Sequence, residues 1–150
     1  MTNRSILNSA CSLLSEGTNT NTPEDYEDRA CYILATFCNQ STRVQKKYLL
    51  AHQLTFTEYR ERSTVEMADS FPLVPVLVPA ATYYLAAMLA IDENETLSDK
   101  LFDLYASEIA TISAEADAIL NAPEPEPTPE PEPEPESPIP AILETIVNKY

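Results

Sequence analysis

The chain of 150 residues contains a single glycine, Gly17, and no tryptophan. Tight β-hairpins use glycine where the backbone needs a positive φ, so this scarcity favours helices joined by short polar connections. One glycine also cannot build a glycine-rich loop that cradles a phosphate. The sequence therefore predicts an all-α fold and argues against a phosphate-loop nucleotide site.

Residues that could carry chemistry are equally scarce. His52 is the only histidine and has no second ligand at metal spacing, so we expect an exposed or capping residue at a helix end. Cys31 and Cys38 lie two helical turns apart, about 10 Å, which is beyond disulfide reach. Together with Cys11 they are predicted to be small apolar core residues in a reducing compartment. Without converging nucleophiles, bases or ligands, the sequence predicts neither an enzyme nor a cofactor.

Acidic residues dominate the charge. The formal net charge is −15, and six glutamates between residues 123 and 138 leave −9 on the rest of the chain. This balance argues against a surface that grips nucleic acid, because neutralising phosphates needs clustered Lys and Arg. The only local cluster of bases is Arg43, Lys46 and Lys47. It follows four acids on the same predicted helix, an order that suits the helix macrodipole.

The segment from Phe71 to Ile91 is uncharged over 21 residues, as a membrane span would be. Three prolines interrupt its first part, and the helical piece that remains, Pro79–Ile91, is about 20 Å long against about 30 Å of hydrocarbon. We therefore predict a buried core helix and no membrane association. A signal peptide is not expected either, because the first six residues contain no apolar run.

Hydrophobic periodicity predicts a small helical bundle within residues 1–122, with two long helices around a short buried one. The predicted helices are Ser5–Leu14, Pro23–Gln53, Pro79–Ile91 and Glu95–Leu120. The last of these is expected to bury Leu97, Leu101, Leu104, Tyr105, Ile109, Ile112, Ala116 and Ile119. The segment Leu54–Ser70 fits either a loop with a short helix or a hairpin, and the pattern does not decide between them.

The composition changes after residue 122, since nine of the thirteen prolines lie between Pro123 and Pro140. Proline fixes φ and removes the backbone donor, so alternating Pro-Glu can form neither helix nor sheet core. Residues 123–138, the Pro-Glu linker, are predicted to be extended at about 3.1 Å per residue.

Residues 139–150, the docking segment, are apolar again. Their large apolar residues recur at helical spacing: Ile139, Ile142, Leu143, Ile146, Val147 and Tyr150. The segment could dock on a partner as an amphipathic helix or as an added edge strand. It could instead fold back on its own domain, which a long stiff linker disfavours, or be disordered, which six large apolar residues disfavour.

Two stretches resemble the head–tail adaptor (connector) proteins of tailed bacteriophages. Members of that family show a proline-led "ALxxYLAAxLA" helix, a short acidic break and a helix with an "LxxxYxxxL" pattern. Residues 71–90 match the first pattern through Ala81, Tyr84, Leu85, Ala86, Ala87, Leu89 and Ala90. The second is matched by Leu101, Tyr105 and Ile109, and the resemblance extends over residues 5 to 115. These are packing patterns and not catalytic signatures.

The resemblance implies a virion structural protein made in the host cytoplasm and located in the neck of the particle. Its relatives form rings, commonly twelve-fold, that join the portal protein to the tail or to a second connector ring. DNA would pass through the lumen without specific binding, and the docking segment would anchor the subunit to the portal or to a neighbouring subunit. The alternative hypothesis is a soluble helical scaffolding module that presents its C-terminal peptide to a cellular partner.

Overall fold

Four α-helices form the body of the computed structural model, which describes residues 1–14, 24–55 and 58–123. They are α1 (Asn3–Leu14), α2 (Glu24–Ala51), α3 (Val78–Ala90) and α4 (Glu95–Leu120), with one turn of 3-10 helix, Pro75–Leu77, before α3. Helix accounts for 73% of these residues, and they contain no β-strand. The predicted all-α bundle with two long helices is confirmed, while the Pro-Glu linker beyond Pro123 and the docking segment lie outside the described residues.

The helix ends follow from their local chemistry. At the start of α4, the Asn94 side chain accepts a hydrogen bond from the Leu97 N–H at 3.0 Å, so the predicted start at Glu95 is confirmed. The helix predicted to run to Gln53 ends at Ala51, because Gln53 adopts a φ of 53°. That left-handed residue turns the chain, and the Leu54 N–H then donates to the Leu49 carbonyl at 2.9 Å.

The short helix α3 is the centre of the bundle and contacts each of the other three helices. Ala80, Ala81 and Leu85 on this helix are fully buried. Its alanines let the neighbouring helices approach closely, since small side chains shorten the distance between helix axes. Ser98 of α4 is also buried, and its hydroxyl donates to the Ala87 carbonyl of α3 at 2.9 Å. The predicted packing of the long helices around a short buried helix is confirmed.

Helix α4 is less deeply buried than its apolar pattern predicts. Leu101, Ile112 and Ala116 are buried, but Leu104 is 47% exposed and Ile119 is 41% exposed. Leu104 lies about 100° around the helix from the centre of the buried stripe, at 100° per residue. Ile119 lies one turn beyond the point where α4 meets the end of α2. Both were predicted to be buried, and both predictions are wrong.

The segment between α2 and the 3-10 turn is an irregular loop. Of the two structures predicted for Leu54–Ser70, neither the short helix nor the hairpin occurs in its described residues, 54–55 and 58–70. The loop is held by pairing with the N-terminus, where the Asn3 N–H donates to the Asp69 carbonyl and the Phe71 N–H donates to the Met1 carbonyl, both at 2.9 Å. Its apolar residues Val65 and Met67 are buried in the core.

Candidate functional site

The residues that carry the sequence resemblance share one core. Ala81, Leu85 and Leu89 of α3 are fully buried and Leu101 of α4 is 4% exposed. Tyr84, Tyr105 and Ile109 complete the set, the last two half-buried against the same core. All seven residues therefore belong to, or pack against, one hydrophobic core.

An aromatic cluster joins three helices at this point. The rings of Tyr84 and Tyr105 lie 5.1 Å apart between centroids, and Phe37 of α2 lies 5.7 Å from Tyr84. Phe102 and Phe71 extend the cluster at 6.0 Å from Tyr84 and 6.3 Å from Phe37. Burial raises the pKa of both tyrosines above the usual value, so their hydroxyl groups stay neutral. The cluster is suited to holding helices together.

The single histidine, expected to be an exposed or capping residue at a helix end, lies at the end of α2 and is half-buried. His52 follows the last residue of α2, and its ring stacks on Tyr48 with centroids 4.3 Å apart. Its Nε2 lies 3.8 Å from the Glu115 carboxylate of α4. Within residues 1–14, 24–55 and 58–123, no group of three or more His, Cys, Asp or Glu side chains could hold a metal ion.

The cysteines differ in burial. Cys38 is fully buried, as predicted for a core residue, and burial raises its pKa to about 12. Cys11 and Cys31 are only half-buried, although both pack against the core. Burial, and to a lesser extent the nearby Glu66, also raise the pKa of the Cys31 thiol. The thiolate, which is the reactive form, is therefore disfavoured at Cys31 and Cys38.

Two bases of α2, Arg43 and Lys46, line one concavity with two acids of the following loop, Glu58 and Glu61, so that its charge is mixed. Asn39 of α2 holds the loop beside the helix, because its amide donates to the Arg62 carbonyl at 2.9 Å and its oxygen accepts from the Arg62 N–H at 3.2 Å. This concavity, of about 270 Å³, lies between the helix and the loop, with Tyr59, Glu58 and Glu61 on its loop side.

The sequence suggested that the order of acids and bases on α2 suits the helix macrodipole. The structure does not support this explanation for the bases. The last turn of α2 contains no basic residue, and the macrodipole acts mainly within that turn. Lys47 instead donates hydrogen bonds to Ser113 and Asp117 of α4. Arg43 and Lys46 are exposed and form no ion pair with any described acid. The hydrogen bonds between Asn39 and the Arg62 backbone, which hold the loop to α2, leave no pattern in the sequence.

An apolar pocket lies at the other end of the loop. It has a volume of about 320 Å³ and is lined by Met1, Phe71, Leu73, Pro75, Val78 and Pro79. Phe71 and Leu73 form a buried floor, while Met1 is 64% exposed at the rim. The pairing of Met1 with Phe71 fixes that rim. Only apolar ligands or side chains match such a lining.

The predicted partner-docking residues are not among those that the structure describes. Ile139, Ile142, Leu143, Ile146, Val147 and Tyr150 all lie in the part of the chain after Pro123. Their docking role stays a prediction.

Comparisons with protein-family models, with curated proteins and with solved structures find no match to this chain. In the part of the chain that the structure describes, no helix has the length and apolarity needed to cross a bilayer. Helix α3, the helical part of the uncharged stretch, is buried in the core, as predicted.

Proposed function

We propose that this chain is a subunit of a phage head–tail adaptor ring, a virion structural protein that joins the portal to the tail and lets DNA pass. The supporting observation is the shared core of α3 and α4. The tyrosines of the two resemblance patterns, Tyr84 and Tyr105, meet at 5.1 Å, and the leucines and alanines around them are buried. Two patterns recognised separately in the sequence thus form one structural unit.

The charge distribution fits the same role. Of the described bases, Arg4, Arg29 and Lys47 form ion pairs with Glu27, Asp92 and Asp117. The remaining surface is acidic, and an acidic ring would repel passing DNA rather than retain it. A ring also multiplies weak attachments, because each docked subunit raises the effective concentration of the others at the partner.

The proposal is tested by assembly with the portal protein encoded in the same genome. The full-length chain should form rings visible by negative-stain electron microscopy, alone or on addition of the portal, and should co-sediment with the portal. Deletion of residues 123–150 should leave the helical content by circular dichroism unchanged and abolish co-sedimentation.

Three results would contradict this. A full-length chain that stays monomeric with the portal present would refute the adaptor ring. Its absence from purified virions by mass spectrometry would do the same. Normal portal binding by the deletion variant would refute the anchoring role of the docking segment and leave the ring itself intact.

A further inference from the structure

We draw no further inference here: the strongest candidate, the apolar pocket of about 320 Å³ between the N-terminus and the start of α3, is an unpartnered apolar surface, and nothing in the structure shows what covers it.

Discussion

Leu101 and Leu104 of α4 allow the burial seen in the structure to be compared with the burial that the sequence pattern predicts. The apolar pattern of α4 assigns Leu101 and Leu104 alike to the core, whereas the structure makes Leu101 4% exposed and Leu104 47% exposed. Leu101→Ala removes buried methyl groups and leaves a cavity, and should lower the free energy of unfolding by about 3 kcal/mol. Leu104→Ala removes half-solvated groups without a cavity and should cost less than about 1 kcal/mol. Helix propensity contributes little, since leucine and alanine differ by a few tenths of a kcal/mol.

Urea unfolding followed by far-UV circular dichroism measures both variants against the parent chain. The two variants are matched in chemistry and in helix, so the difference between them reports burial alone. Equal losses of stability would refute the placement of α4. The measurement should be repeated over a range of protein concentrations, because a contact of Leu104 with a second copy would make its loss grow with concentration.

Three further predictions concern buried polar groups and thiols. Ser98→Ala removes the hydrogen bond to the Ala87 carbonyl and should cost about 1 kcal/mol in urea unfolding, and an unchanged midpoint would contradict the tie between the helices. Burial and the hydrogen bond to Glu93 raise the pKa of Tyr26 from 10.0 to about 12, so the unfolded chain loses this proton first and stability falls as the pH rises from about 10 to 12. Tyr26→Phe should reduce this loss of stability with rising pH. An equal loss in the variant and the parent chain would contradict the assignment to Tyr26. Cys38, with its pKa raised to about 12, should react with iodoacetamide at neutral pH only after unfolding in urea, which mass spectrometry would check.

The helices could be predicted because their signals are local. The polar Asn94 before a periodic apolar run marks the start of α4, and the predicted and observed bounds of that helix agree. The predicted Pro79–Ile91 differs from α3 by one residue at each end. In both cases the residues that decide the boundary lie within a turn of it, so periodicity and capping suffice.

The candidate site could not be predicted because its contacts are long-range. Asn39 holds Arg62 across 23 residues of chain, and Gln45 holds Val74 across 29. Hydrogen bonds between a side chain and a distant backbone group leave no periodic pattern. Polar residues in the interior of a long amphipathic helix are the one available signal, and Gln45, which is 3% exposed, is such a residue.

The loop between α2 and α3 packs into the core and borders both the apolar pocket and the concavity beside Arg43 and Lys46. Its apolar residues Val65 and Met67 are buried, its edge pairs with the N-terminus at Asp69 and Phe71, and Asn39 and Gln45 hold it to α2. Each of these contacts satisfies a backbone group that an irregular loop would otherwise leave to solvent. A loop braced at so many points presents its surface with a fixed geometry, which lowers the cost of binding because little remains to be ordered. The apolar pocket and the concavity beside Arg43 and Lys46 therefore border a loop that α2 and the N-terminus hold in place.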